Sequence, residues 1–157
     1  MRLYHGSTID IAKVDLALSK PNKDFGRAFY LSDDRQQALE MAQFRAEFEE
    51  TEPVVNVYEF DEALFQEFRY KRFEAYTEEW AHFVYDHRIE PHGRTLHDYD
   101  IVYGPIANDR VGAQIARYKQ GYITFDEFLR RIQYIKGITF QYAFCTQRAI
   151  DKLQTIK

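Results

Sequence analysis

Short strand-like segments alternate with amphipathic helical segments along this chain, and this alternation most constrains its fold. Val54–Phe60 is rich in β-branched and aromatic residues, which is typical of a strand. Thr77 is a suitable helix N-cap, and the apolar residues after it recur at helical spacing. The complete predicted order is strand, strand, helix, strand, helix, strand, helices, strand, helix. Because helices separate most of the strands, the strands must pair across long stretches of sequence, which predicts an α+β domain with a mostly antiparallel sheet.

Capping residues predict where several helices begin. Asp33, with Gln36 three residues later, resembles a capping box at the start of a helix that reaches Glu49. This helix is predicted to lie on a sheet through an apolar stripe formed by Ala38, Met41 and Ala42. Near the end of the chain, Thr146 is predicted to cap a last helix that contains Leu153.

Two other segments place a polar side chain beside a glycine in a strand-like setting. Leu3–Ser7 alternates apolar and polar residues and includes a glycine, and Phe25–Ser32 has Gly26 followed by a short aromatic strand. Glycine allows a ligand or a second backbone to come close, so these segments are candidates for a binding site. From the residues alone, His5 and Tyr30 are either site residues or ordinary strand residues with satisfied side chains.

Composition and charge limit the classes of partner. A chain of 157 residues is predicted to form a single domain, residues 1–157, and its formal net charge is −4. An acidic protein has no general attraction to nucleic-acid backbones or anionic membranes, although the local patch Arg69, Lys71 and Arg72 either meets phosphates or is simply solvated. One cysteine, Cys145, excludes an intramolecular disulfide, and no apolar run resembles a signal peptide or a membrane span. We therefore expect a cytoplasmic protein without a membrane partner.

The histidines of the central region raise a metal hypothesis that their spacing does not favour. None of them forms the i, i+4 helical pair of a typical metal site, and the loop between them contains proline and glycine. We therefore expect structural or solvent-facing roles, and no metal, for His82, His87, His92 and His97.

Six motifs occur in an order that resembles a known family. Leu3–Ser7 resembles the first strand of the ADP-ribosyltransferase superfamily, in the His-Tyr branch that includes the poly(ADP-ribose) polymerases, and Phe25–Ser32 resembles that branch's second strand. The chain as a whole more closely resembles a bacterial ADP-ribosyltransferase-like family, domain of unknown function 3990. The motifs that carry this resemblance are His5-Gly6-Ser7, Asp24 to Ser32, Val55 to Phe60, Trp80 to Arg88, Asp100 to Asp109 and Gln141 to Thr146.

The resemblance implies an ADP-ribosyltransferase-like fold, with two small, mostly antiparallel sheets around an NAD-binding cleft and helices at its flanks. In the family pattern, His5 binds the adenosine-ribose hydroxyls, the Gly6 backbone binds the nicotinamide amide, and Tyr30 stacks on the nicotinamide ring. The other cofactor-binding positions that it implies are Ser7, Gly26 and Arg27, with Asp24, Asn108 and Asp109 in supporting roles.

The third catalytic position of that branch differs in this chain. It is usually a glutamate on a late strand, and the matching strand here offers Gln141. Glutamine exchanges hydrogen bonds but has no charge to stabilise a cationic transition state and cannot act as a base at neutral pH. Polymer synthesis is therefore not expected, whereas a single transfer remains compatible with the residues. A carboxylate from elsewhere, such as Asp109 or Glu79, is an alternative source of the missing charge.

The expected activity is that of an NAD-dependent mono-ADP-ribosyltransferase, with NAD as substrate and release of nicotinamide. The acceptor is macromolecular, and the acidic net charge favours a protein over a nucleic acid. Small stand-alone bacterial domains that resemble ADP-ribosyltransferases are often toxins of toxin-antitoxin or phage-defence systems. The resemblance therefore implies such a toxin, with an antitoxin as partner. Two alternatives stay open: an NAD glycohydrolase, and a catalytically silent domain that binds NAD, ADP-ribose or a protein partner.

Overall fold

The computed structural model describes residues 1–156 and contains two small sheets. Sheet I has the strand order β1-β3-β7, with β1 at Arg2–Ser7, β3 at Val54–Glu59 and β7 at Gln154–Thr155. Sheet II has the order β2-β6-β5-β4, with β2 at Phe29–Leu31, β6 at Phe140–Phe144, β5 at Ile101–Pro105 and β4 at Tyr70–Arg72. In the described part of the chain β4 and β5 are the one parallel pair. The prediction of an α+β protein with mostly antiparallel sheets is confirmed.

Five α-helices surround the sheets within residues 1–156. They are α1 (Arg35–Glu49), α2 (Glu78–Ile89), α3 (Val111–Lys119), α4 (Phe125–Arg131) and α5 (Gln147–Ile150), and short 3-10 helices span Leu16–Leu18 and Glu62–Glu67. The side chains of Thr77, Thr124 and Thr146 each accept a main-chain N–H in the first turn of α2, α4 and α5. The described helices include none that is both long and apolar enough to cross a bilayer.

Sheet II is covered on both faces. Neighbouring strand residues point to opposite sides, so Val102 and Ala143 pack with α2, α3 and α4, whereas Ile101 and Phe144 pack toward sheet I. Each face buries large apolar side chains, with Trp80 fully buried on the helical side. Because both faces of sheet II are buried, its strands are held rigidly. Tyr30 and Gln141 lie on two of these strands, β2 and β6.

Two predicted helix boundaries were wrong, whereas the short aromatic strand predicted after Gly26 is confirmed. That strand is β2, which starts at Phe29, and Gly26 with a positive φ of 87° turns the chain before it. The cap of α1 is Asp34 rather than Asp33, since the Asp34 side chain accepts the Gln36 N–H at 2.9 Å.

The end of the chain also differs from the prediction. The helix that Thr146 caps ends at Ile150 and does not reach Leu153. The chain then forms the two-residue strand β7, which adds to β3 and which the sequence analysis did not predict. A two-residue strand is too short to show a period-2 pattern, so the sequence carries no signal for it.

Helix α1 packs on sheet I through small residues. Ala38, Ala42 and Ala46 are buried, and Gly6 lies directly beneath them. A Cβ added to Gly6 would lie 2.8 Å from the Ala42 nitrogen and still closer to the Ala38 carbonyl oxygen. The predicted stripe is therefore correct for two alanines and wrong for Met41, whose residue surface is 52% exposed.

Candidate functional site

Strands β1 and β2 meet at one point and then separate. Tyr4 and Ser32 exchange both main-chain hydrogen bonds, at 2.8 and 2.9 Å. Continuing this register would pair Gly6 with Tyr30, but within residues 1–156 the two strands form no such ladder and lie in different sheets. Main-chain groups alternate in direction along a strand, so the N–H and C=O of Gly6 point as those of Tyr4 do. They therefore point toward β2 across the opening where the two strands separate beyond the Tyr4–Ser32 bridge. We call this opening the gap.

The His5 imidazole lies beside this gap in a defined tautomer. Its Nδ1 is 2.7 Å from the Tyr30 carbonyl oxygen, and a carbonyl can only accept, so Nδ1 carries the proton. Its ring stacks on Phe29 with centroids 4.3 Å apart. Burial, with a contribution from the positive charge of Arg45, lowers the pKa of His5 to about 4. At neutral pH the ring is therefore uncharged, and its Nε2 is an acceptor of the kind that binds a hydroxyl.

The Tyr30 hydroxyl holds the glycine-containing turn that precedes β2. It donates to the Gly26 carbonyl at 2.8 Å and accepts from the Phe25 N–H at 2.9 Å. Burial and the nearby Asp24 carboxylate raise the pKa of Tyr30 well above its usual value. The hydroxyl thus stays protonated, and its two bonds fix the position of a ring that is partly buried on the helical face of sheet II.

Asp24, Arg88 and Gln141 form a polar network next to Tyr30. Asp24 is only 6% exposed, and its Oδ1 accepts from Arg88 at 2.8 Å (Nε) and 2.5 Å (Nη2). Its Oδ2 lies 3.4 Å from Nε2 of Gln141. An ionised carboxylate only accepts, so the Gln141 NH2 group must face Asp24. The carbonyl oxygen Oε1 of Gln141 is therefore directed away from Asp24, in a position to accept from a ligand.

Arg88 is the member of this network to which the sequence analysis gave no role. It lies in α2, is 64 residues from Asp24, and pairs with it through two guanidinium nitrogens. Arg88 is the last residue of the motif Trp80 to Arg88, so the sequence did mark it as a candidate. The motif does not show that Asp24 is its partner, because that contact depends on how α2 packs against the loop before β2.

Two of the expected cofactor-binding residues support the chain around the gap. The Arg27 guanidinium donates to the Ser19 carbonyl and so braces the loop before it. Ser7 is buried, and its hydroxyl lies 3.4 Å from the Ile9 nitrogen. Both lie close in sequence to the gap residues, but their side-chain hydrogen bonds are made to the protein's own backbone.

The expected supporting residues near Gly104-Pro105 lie apart from the network. The Asn108 side chain donates to the carbonyls of Arg131 and Gln133, at 2.8 and 3.0 Å, and ties the turn after β5 to the end of α4. Asp109 is exposed, and Glu79 forms an ion pair on the surface of α2. The carboxylate that accompanies Gln141 is thus Asp24 rather than Asp109 or Glu79.

Comparison with known families adds one finding to this geometry. A family model described as a protein of unknown function, DUF3990, matches residues 1–155. The chain belongs to the DUF3990 family. No curated protein and no solved structure is significantly similar to it. The predicted resemblance to domain of unknown function 3990 is thereby confirmed, while the resemblance to the ADP-ribosyltransferase superfamily stays a prediction. The matched range of this DUF3990 protein includes the whole polar network.

In this DUF3990 protein, two histidines hold the segment after α2 against the Gly26 turn. His87 Nε2 accepts from the Leu96 N–H at 2.9 Å, and His97 Nε2 lies 3.1 Å from the Phe25 carbonyl. The other ring nitrogen of each histidine also bonds to the main chain, so each ring donates once and accepts once. This pattern fits only neutral rings. Within residues 1–156 no group of three metal-ligating side chains forms.

We expect acid to weaken this DUF3990 fold through its histidines. Burial lowers the pKa values of His5, His87 and His97 below the ordinary 6.5. The unfolded chain therefore takes up protons near pH 6.5 while the folded chain does not, and stability present above that pH is lost as the pH falls. For His5 the loss extends to about pH 4. Urea unfolding at pH 7 and pH 5 checks this.

The control for this measurement is the exposed His92. His5→Gln should reduce the difference in unfolding free energy between pH 7 and pH 5, whereas His92→Gln should leave it as in the unmodified protein. An unchanged difference in His5→Gln would show that His5 is not held neutral by the fold.

Proposed function

We propose that this DUF3990 protein is an NAD-dependent mono-ADP-ribosyltransferase. In the reaction, the bond between nicotinamide and C1 of its ribose breaks, and its electron pair leaves with nicotinamide. A nucleophile on the macromolecular acceptor then bonds to C1 and releases a proton. The observation that carries the proposal is the bond from His5 Nδ1 to the Tyr30 main chain at the point where β1 and β2 separate, together with the Asp24–Gln141 contact next to Tyr30.

The groups at the gap match the parts of NAD by hydrogen-bonding type. The Gly6 N–H and C=O form a donor and acceptor pair, which complements the carbonyl and NH2 of a carboxamide. The neutral His5 ring offers Nε2 to a ribose hydroxyl. An aromatic face such as that of Tyr30 adds about 1 kcal/mol when another ring stacks on it. These are the roles that the motif resemblance assigns to the same residues.

In this proposal, Gln141 oriented by Asp24 takes the place of the glutamate that the family pattern has on this strand. Because Asp24 engages the amide NH2, Gln141 presents only its carbonyl oxygen, which is also the type of atom that a glutamate would present. That oxygen can accept from a hydroxyl of the nicotinamide ribose and place partial negative charge beside the cationic sugar. Arg88 pairs with Asp24 through two guanidinium nitrogens, and in this proposal the pair orients Gln141. Single transfer is compatible with this arrangement, and chain elongation is not expected.

Positive charge near the mouth of the gap supports a ligand with phosphates. Lys23 is exposed, and partial desolvation of its ammonium group together with the charges of Arg88, Lys20 and Arg45 lowers its pKa. A group of cations that raise one another's energy is stabilised when an anion binds among them. The pyrophosphate of NAD carries the charge that this position would accept.

The test of the proposal is nicotinamide release from NAD by the purified protein, with and without cell lysate. Removing the hydroxyl acceptor in His5→Ala should weaken NAD binding about fivefold to tenfold, which corresponds to one hydrogen bond of about 1 kcal/mol. His92→Ala, at an exposed position, is the matched control and should bind and turn over NAD normally. Release that lysate increases and that His5→Ala impairs is the expected result.

Two other outcomes would redirect the proposal. Release that lysate does not raise would indicate an NAD glycohydrolase, because water would then be the acceptor. Binding of NAD that depends on His5 without any release would indicate a silent binding domain, and the uncharged Gln141 is the observation that favours this second candidate. The biological setting that we propose is the bacterial cytoplasm, with a protein acceptor and an antitoxin as partner.

A further inference from the structure

Helix α1 buries its small residues and exposes its large ones. Its inner face consists of three alanines, each no more than 4% exposed. Its outer face carries Met41, Phe44 and Phe48, which are 52%, 72% and 85% exposed. Their spacing of three and four residues places them in one line along the helix. We call these three residues the α1 stripe.

The packing of α1 explains why this helix cannot turn its aromatic side chains inward. Gly6 and Ala42 bring the helix backbone so close to β1 that a single added Cβ would not fit. Large side chains on this face would force the helix off the sheet. The close fit accounts for the alanines but gives no reason for two phenylalanines on the opposite side. Large apolar side chains that are contiguous and exposed mark a binding surface.

Acidic residues lie on one side of the α1 stripe and around the end of α1, and the half-buried Arg45 lies on the other side. The acidic residues are exposed, and within the described chain none of them takes part in an ion pair: Glu40, Glu47, Glu49, Glu50 and Glu52. The carbonyl groups at the end of α1 add partial negative charge on the same side. The surface therefore has an apolar line with an acidic border on one side and at its end, and its complement is an apolar line with a basic border.

We propose that the α1 stripe is a docking surface for a basic amphipathic helix of another protein. A line of apolar residues one to two helical turns long matches the anchor spacing of a bound helix. A second copy of this chain fits less well, because two α1 surfaces would bring their acidic borders together. An anionic membrane is disfavoured for the same reason. This inference does not depend on the NAD chemistry.

The experiment measures binding of a synthetic helical peptide with a leucine face and lysine borders, by fluorescence anisotropy. Phe44→Ser/Phe48→Ser should weaken binding about tenfold or more, since central aromatic anchors dominate such interfaces. Glu40→Gln/Glu47→Gln keeps the stripe, and should weaken binding a few fold and reduce its salt dependence. Tyr122→Ser changes an equally exposed aromatic residue elsewhere and should have no effect.

Three results would overturn the proposal. The first is unchanged binding in Phe44→Ser/Phe48→Ser. The second is equal binding of a scrambled peptide with the same composition but no apolar face, which would show charge attraction alone. The third is self-association of the unmodified protein, measured by sedimentation and lost in Phe44→Ser/Phe48→Ser, which would identify a second copy as the occupant. Circular dichroism of each variant confirms that it is folded.

Discussion

Replacing Gly6 with alanine is expected to lower the free energy of unfolding by about 3 kcal/mol or more, at the upper end of what overpacking costs. The added Cβ would meet the backbone of α1, at the Ala38 carbonyl and, at 2.8 Å, the Ala42 nitrogen. Backbone atoms within a helix cannot turn aside as a flexible side chain does, so the helix must shift as a unit. Urea unfolding followed by circular dichroism measures the change.

Gly112 is the matched control for this substitution. It lies in α3, and an added Cβ would have no neighbour within 4 Å. Gly112→Ala should therefore stabilise the protein by about 0.5–1 kcal/mol, which is the ordinary gain of alanine over glycine in a helix. If Gly6→Ala unfolds at the same urea concentration as the unmodified protein, α1 does not lie as close to β1 as described.

The second large effect is expected at Asp24 and Gln141. Asp24→Asn should reduce nicotinamide release about a hundredfold, because the asparagine no longer fixes the Gln141 amide and Arg88 loses its partner. Gln141→Glu should reduce release to a similar extent, because it places a second carboxylate about as close to Asp24 as the present 3.4 Å. Nicotinamide release by each variant, at saturating NAD, is the measurement.

The double variant Asp24→Asn/Gln141→Glu tests whether the two single substitutions act by breaking the pairing between residues 24 and 141 or by harming the protein independently. The amide and the carboxylate exchange places in it, so one donor and one acceptor again face each other, and release should recover at least tenfold over either single variant. Losses that add in the double variant would show that the two side chains act independently. If the unmodified protein releases no nicotinamide, the proposed reaction fails, and the same four proteins compared for NAD binding still test the pairing.

Local rules account for much of the fold. Thr77 and Thr146 cap helices as predicted, because a cap depends only on the residues of the following turn. Likewise Asn56 bonds to the backbone of Ile9 and Ile11, as a strand asparagine commonly does. The α1 stripe could not be predicted, because Met41 shares helical spacing with the alanines and only the close contact at Gly6 decides which face is buried.

The candidate site was predicted as a set of residues but not as an arrangement. The motifs named His5, Tyr30, Asp24 and Gln141, while the pairing of Asp24 with Gln141 joins residues 117 positions apart. Such a contact follows from the order of strands in sheet II, which periodicity does not encode. The direction of the Gln141 amide, which decides whether an oxygen or an NH2 group faces a ligand, follows in turn from that contact.

The single bridge between β1 and β2 offers a probe of the gap that needs no assumption about chemistry. The amide hydrogens of Tyr4 and Ser32 are both held in that bridge, at 2.8 and 2.9 Å. They exchange with solvent deuterium only when the two sheets move apart at this edge. Any molecule that spans the gap and binds both sheets will slow the exchange of these two amides together, so a screen of metabolites by deuterium uptake would rank ligands before any reaction is known.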